Sequence, residues 1–200
     1  MTNLIEISPE NGFDVILDLR YNSANNVTGQ NFYAELDFFT NQKNGVKCYL
    51  HPDAAAKLKN AINLAAEIGL KLKIFDAFRP LQGQEILFNK FPGGDFVSNP
   101  KTGAIPHCRG IAIDLTLVNA ANYEELEMGT EFDNFTAKAF HANTEISLEA
   151  QKNRFILLGI MSAASWDFYS KEWWHYQLFK PREFEIIKEM DHGCYTKIHL

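Results

Sequence analysis

The segment Ile105-Pro106-His107-Cys108-Arg109-Gly110-Ile111-Ala112-Ile113-Asp114-Leu115-Thr116 constrains the fold more than any other part of the chain. Its second half alternates. On a strand from Ile111 to Val118, Ile111, Ile113, Leu115 and Leu117 point one way and Ala112, Asp114 and Thr116 the other, so Asp114 leaves a sheet face whose neighbours are small. Its first half places a histidine seven residues before that aspartate, across a glycine turn. A neutral imidazole and a hard carboxylate oxygen are two of the three protein ligands that a catalytic zinc usually takes, with one position left for water. The third ligand must come from elsewhere. Near the C-terminus, Glu172-Trp173-Trp174-His175-Tyr176 offers a second histidine, and the carboxylate before it is suited to act as a base toward water on such an ion.

The remaining pattern supplies a scaffold. Phe13 to Leu19 reads as a strand, residues 22–30 as a loop rich in Asn, Ser, Thr and Gly, and Pro52 to Ile68 as a helix closed by Gly69. Leu70 to Phe75 alternates as a strand and delivers Asp76-Ala77-Phe78-Arg79-Pro80 to its end. Pro80 bars a helical backbone at Arg79 and opens a helix to Phe91, which holds Arg79 on a short connection, with Asp76 placed to orient it. Phe91 to Pro106 is a long loop, placed to act as a lid. Asn119 to Asn143 reads as irregular chain with short helical pieces, Ser147 to Ala164 as a buried helix, and Trp166 to Phe179 as an aromatic strand. Residues three apart point to opposite faces of a strand, so Glu172 belongs in the turn just before the strand that carries His175.

Composition excludes several classes. With 200 residues and 46% hydrophobic content, one domain over 1–200 is expected. A net charge of -6 without a basic cluster argues against nucleic acid. Three cysteines, Cys48, Cys108 and Cys194, form no C-x-x-C pair and no disulfide framework. Cys108 reads as a structural thiol, because it and His107 would point to opposite sides of an extended chain. The first residues lack the basic and apolar regions of an export signal, and Phe155 to Met161 is too short to span a bilayer, so a soluble cytoplasmic protein with no membrane partner is expected. Nothing in the sequence marks an oligomeric state.

Taken together, His107-x-x-Gly110-x-Ala112-x-Asp114 and Glu172-Trp173-Trp174-His175 resemble the zinc D-alanyl-D-alanine dipeptidases of the vancomycin-resistance type, within the Hedgehog/D-Ala-D-Ala peptidase superfamily. Asp18-Leu19-Arg20-Tyr21 with Asn26-Val27-Thr28-Gly29, then Phe75 to Pro80, then Met128-Gly129-Thr130-Glu131-Phe132-Asp133, resemble further family blocks in the same order. The Asn153-Arg154 pair does so as well. The similarity covers residues 13–180, and the role of the tail, 181–200, is not legible.

The resemblance implies an α+β fold, a central antiparallel sheet with the zinc site on one face and helices on the other. It implies one Zn2+ per chain on His107, Asp114 and His175, Glu172 as general base, and Arg79 as the donor to the tetrahedral intermediate. Tyr21 and Asp133 would hold the ammonium of a small dipeptide substrate. One position departs from the pattern: Ile105 stands where many such enzymes have a substrate-binding serine. Two alternatives remain open, a D,D-carboxypeptidase or cell-wall peptidase of the superfamily, and a non-catalytic zinc-containing Hedgehog-like binding module.

Overall fold

The computed structural model describes residues 4–36 and 45–187. Two short strands near the start of the chain, β1 (Ile5–Glu6) and β3 (Tyr49–Leu50), pair antiparallel on their own. The main sheet has five strands: β2 (Ile16–Leu17), β4 (Leu70–Asp76), β5 (Ala112–Asn119), β6 (Asp167–Phe168) and β7 (His175–Gln177), in the order β2-β4-β5-β7-β6. Three of its pairings are antiparallel, while β2 runs parallel to β4, so the sheet is mixed and not purely antiparallel as expected. The physical reason lies in the connection. Between β2 and β4 the chain passes through helix α1 (Pro52–Glu67), and a helical crossover of that kind returns a strand in the parallel sense. The strand expected over Phe13 to Leu19 is also shorter, reduced to Ile16–Leu17.

α1 follows its sequence signals closely. The His51 ring accepts from Asp53 N at 3.2 Å, Pro52 sits in the first turn, and Gly69 takes the positive φ of 72° that ends the helix. Ala54, Ala55, Leu58, Ala61 and Ala65 form its buried stripe, and the helix packs on β4 and on α3 (Leu148–Ala163). α3 is capped by Ser147 Oγ, which accepts from Ala150 N at 3.0 Å. The expectation of a buried helix holds for one face only. Leu157 and Met161 are enclosed, whereas Leu148 is 75% and Phe155 61% exposed, because sheet and α1 cover a single side. Between these helices in sequence lies α2 (Leu81–Lys90), which starts one residue after Pro80 and ends one before Phe91. No helix among the described residues is long and apolar enough to cross a membrane.

The aromatic strand expected over Trp166 to Phe179 is two strands broken by a turn. Within the turn, Trp173 N donates to Ala139 O at 3.1 Å, and His175 N closes back on Glu172 O at 3.3 Å. That partnering draws residues 170–173 off the sheet and leaves Glu172 in the turn before β7, as strand parity requires. The register then sets three polar residues in a row. Asp76 pairs with Asp114 and Asp114 with His175, so β4, β5 and β7 present them side by side on one face.

Candidate active site

His107 reaches this row from a single 3-10 turn, Pro106–Arg109, rather than from an extended segment. Gly110 closes the turn with φ 66°, where a Cβ would meet Leu4 Cδ2 at 2.8 Å and His51 N at 3.1 Å, so any side chain would push two segments apart. Cys108, on the same turn, is buried away from the cluster, and burial pushes its thiol up to about 12. It is a structural thiol for that reason. Ile187 N donates to Cys108 O at 2.9 Å and Arg109 Nη1 donates to Phe184 O, so residues 184–187 brace the turn from outside. The tail beyond 187, with Cys194, lies outside the described residues.

Among the described residues, one group of donors is spaced to hold a metal ion: His107, Asp114 and His175, whose ligand atoms lie within 4.8 Å of one another. His107 Nε2 is 3.2 Å from His175 Nδ1 and 3.3 Å from Asp114 Oδ2, and His175 Nδ1 is 3.0 Å from Asp114 Oδ1. An outer backbone carbonyl fixes the tautomer of His107. His107 Nδ1 lies 2.6 Å from the Ala77 carbonyl, which only accepts, so the proton sits on Nδ1 and the lone pair of Nε2 faces inward. His175 Nε2 lies 3.1 Å from Gln177 Oε1, and a proton on Nε2 leaves the Nδ1 lone pair for an ion. Charge points the same way. Asp76, Asp114, Asp133 and Glu172 are all buried around Arg79, an excess of carboxyl groups over cations whose ionised forms a divalent cation would stabilise.

Arg79 is held on all sides. Its Nε and Nη2 donate to Asp76 Oδ2 at 3.0 and 2.7 Å, its Nη1 donates to Gln84 Oε1 at 2.8 Å, and its backbone N donates to His107 O at 3.2 Å. Tyr33 Oη donates to the other Asp76 oxygen at 2.6 Å, and Gln84 Nε2 donates to Ser98 O at 2.8 Å. A guanidinium so fixed keeps its Nη2 edge 3.7 Å from Asp114 Oδ2, beside the metal-ligand group. Glu172 is 6% exposed, with Oε2 3.8 Å from His175 Nδ1. Tyr21 Oη donates to Asp133 Oδ2 at 2.8 Å, and Asp133 takes a left-handed φ of 59°, which aspartate tolerates better than most residues. Ile105 is more strained. It is β-branched, 1% exposed and at φ 42°, immediately before the turn that carries His107.

Asp76 and Tyr33 apart, these residues line one cavity of about 260 Å³. The loop of residues 91–106 supplies part of its wall through Phe96, Val97 and Ile105, and it is tied down by Tyr169 Oη donating to Asp95 O at 2.8 Å and by Lys171 Nζ 2.5 Å from Asp95 Oδ2. All seven residues singled out in the sequence therefore meet here: Tyr21, Arg79, His107, Asp114, Asp133, Glu172 and His175. Tyr33, Gln84 and Gln177, which complete the site, did not stand out. Gln177 had a signal, since it lies two residues beyond His175 on the same face of β7. Tyr33 and Gln84 had none, because only tertiary contact brings them to Asp76 and Arg79.

The buried acids titrate in opposite senses. Burial pushes Asp114 up, but His107 and His175 outweigh it and hold its carboxyl well below the ordinary range. Burial, followed by the charge of Asp114, lifts Asp133 to about 8, and burial with Asp114 and Asp133 lifts Glu172 well above its ordinary value. For Asp133 and Glu172 the folded state keeps a proton that the unfolded chain has released. The stability of the metal-free protein is therefore expected to fall as pH rises from the ordinary carboxylate range toward 8. Each such group contributes a slope of up to ~1.4 kcal/mol per pH unit. Asp114 acts in the opposite sense, at more acid pH. Urea titrations across that window should show a shallower decline in Asp133→Asn, and an unchanged slope would remove Asp133 from the account.

Comparison with known proteins places this geometry in a family. A family model described as D-ala-D-ala dipeptidase, of the M15 peptidases, matches residues 6–190. The D-alanyl-D-alanine dipeptidase of Escherichia coli (strain K12) is 32% identical over 176 residues, covering 88% of this chain and 85% of the relative. That of Enterococcus faecium is 32% identical over 143 residues, covering 63% of this chain and 71% of the relative. A third D-alanyl-D-alanine dipeptidase, from Enterococcus faecalis (strain ATCC 700802 / V583), is 38% identical over 72 residues, 36% of each chain. With an α+β fold, a histidine-aspartate-histidine group in its cavity and a match over nearly its whole length, the chain belongs to the D-ala-D-ala dipeptidase family of M15 peptidases.

Proposed function

We propose that the chain is a zinc dipeptidase that hydrolyses D-Ala-D-Ala to free D-alanine. The observation that carries this reading is the convergence of His107 Nε2, His175 Nδ1 and Asp114 on one point, with the His107 lone pair set toward it and with Glu172 and Arg79 beside it. Two nitrogens and one carboxylate oxygen are a donor set that suits zinc and leaves coordination open. When bound, the ion supplies Lewis acidity at the scissile carbonyl and an activated water. The relatives' names supply the substrate.

The side chains have separable tasks in this reading. Glu172 takes the proton of the attacking water and returns it to the leaving amine, a transfer that its position next to the ligand group allows. Arg79 donates to the carbonyl oxygen as that oxygen turns negative, and its lock on Asp76 and Gln84 means that little reorganisation is required at that moment. Tyr21 and Asp133 receive the substrate ammonium. Ile105 brings no hydroxyl, so these two do so without the help of a serine at that position.

The test is release of D-alanine from D-Ala-D-Ala, followed before chelation, after chelation and after zinc is returned, beside metal analysis of the same samples. About one zinc per chain is expected in the active protein, activity is expected to follow the metal, and His175→Ala is expected to lose both. Undiminished hydrolysis after complete removal of metal would overturn the reading. Full metal content in His175→Ala would strike that residue from the ligand set.

A further inference from the structure

α3 contains one guanidinium that takes no part in the chemistry above and is nonetheless among the most deeply enclosed groups in the molecule. Arg154 is 1% exposed and has no carboxylate partner among the described residues. Burial pulls it down to about 10, which still leaves it charged at neutral pH. Its hydrogen bonds go to backbone oxygens. Nε donates to Met128 O at 2.7 Å, and Nη1 donates to Lys138 O at 2.9 Å and Phe140 O at 3.0 Å, while the adjacent Asn153 Nδ2 donates to Glu127 O at 2.9 Å. These acceptors bracket both ends of the segment that carries Asp133.

That segment is in turn bonded to the turn that carries Glu172. Trp173 N donates to Ala139 O at 3.1 Å, His141 N donates to Ser170 O at 3.0 Å, and Trp173 Nε1 donates to Thr130 Oγ1 at 2.8 Å. Neither loop has regular structure of its own. Residues 128–141 include only the short Ala137–Ala139 turn, and residues 169–174 lie between two strands of two and three residues. Such loops hold a geometry only as well as their cross-ties do.

We infer that Arg154 is a positioning residue for the hydrolysis: by clamping Met128, Lys138 and Phe140, it sets the distance between the ammonium-binding Asp133 and the base Glu172. The inference rests on the proposed function for its kinetic meaning, and on geometry alone for its structural one. Arg154 acts through the backbone. The charges that bear on Glu172 are those of Asp114, Asp133 and Arg79, and Arg154 is not among them. A guanidinium suits this task because its planar fork reaches three carbonyls in fixed directions, whereas a lysine ammonium in the same space cannot span them. Its loss would leave the buried Met128 carbonyl and the partly buried Lys138 carbonyl without these donors, with Phe140 O held by Asn143 N alone, and the two loops free to drift apart.

Arg154→Lys tests this in the metal-loaded protein. Amide hydrogen exchange is expected to speed up together at His141 and Trp173, in the two different loops, while α1 and β4 stay protected. With metal content unchanged, kcat on the dipeptide should fall about 10-fold and KM rise about 10-fold, since displacements near 1 Å carry losses of that order. In an Asp133→Asn background the KM effect of Arg154→Lys should vanish, which a general loss of stability would not produce. Thr130→Val, which cuts one tie between the loops, should lower kcat several-fold and serves as the decisive variant where Arg154→Lys does not fold. A folded Arg154→Lys with wild-type exchange at both sites would overturn the inference. So would kcat and KM within about twofold of an active wild type, a KM effect that persists with Asp133→Asn, or wild-type kcat in Thr130→Val where that variant decides. An inactive wild type would count against the proposed function instead, and the exchange measurement would still decide the clamp.

Discussion

Glu172→Gln is expected to keep its full metal content and to lose about 10²- to 10⁴-fold of its turnover, the range typical of removing a positioned acid-base group. The geometry separates these two properties. The ligand group closes through His107, Asp114 and His175 at 3.0 to 3.3 Å, whereas Glu172 Oε2 stands 3.8 Å from the nearest of these nitrogens and outside the triangle. Glutamine keeps the size and the turn but cannot take a proton. Its effect should fall on kcat and spare KM, because in the proposed function Asp133 and Tyr21, not Glu172, receive the substrate in the ground state. Metal analysis with steady-state kinetics on one preparation checks both halves. Loss of metal in the glutamine variant would make Glu172 a fourth ligand and would leave the reaction without an identified base.

Much of this site could be read from sequence because strand parity is a hard constraint. Alternation from Ile111 to Val118 puts Asp114 on the face opposite the apolar residues, and the three-residue interval between Glu172 and His175 requires Glu172 to sit in a turn. Where local rules are weak, legibility fails. β2 is two residues long and owes its existence to pairing with Lys73 and Ile74, so the composition of Phe13 to Leu19 could suggest a strand but neither its length nor its parallel sense. The apolar outer face of α3 reads as buried in a helical pattern, yet burial depends on what lies opposite, and that is a property of the whole fold. Tyr33 and Gln84 belong to the same class. Each satisfies a buried charge that originates in a different segment, and no spacing within one segment announces such a partner.

The strongest discrimination is expected between D-Ala-D-Ala and its N-acetylated form. Asp133 is 8% exposed, held in a left-handed backbone, and bonded among the described residues only to the Tyr21 hydroxyl. A substrate ammonium would meet a carboxylate there and stabilise its charged state, since burial otherwise drives Asp133 toward its protonated form with a pKa of about 8. An acetylated amine offers no cation. It must either leave a buried carboxylate uncompensated or keep it protonated, and a penalty of about 3 to 4 kcal/mol corresponds to roughly 10²- to 10³-fold in kcat/KM. A serine of the kind that the family resemblance implies at position 105 would add one neutral hydrogen bond, worth about 1 kcal/mol net, so Ile105 is expected to weaken ammonium binding without cancelling the charge effect. In Asp133→Asn the preference should collapse, because an amide can serve either substrate, and most of the change should appear as poorer use of the free dipeptide. Equal kcat/KM values for the two substrates in the wild-type protein would instead describe a cleft that tolerates extended peptides, and would move the chain from dipeptidase to carboxypeptidase chemistry on the same ligand group.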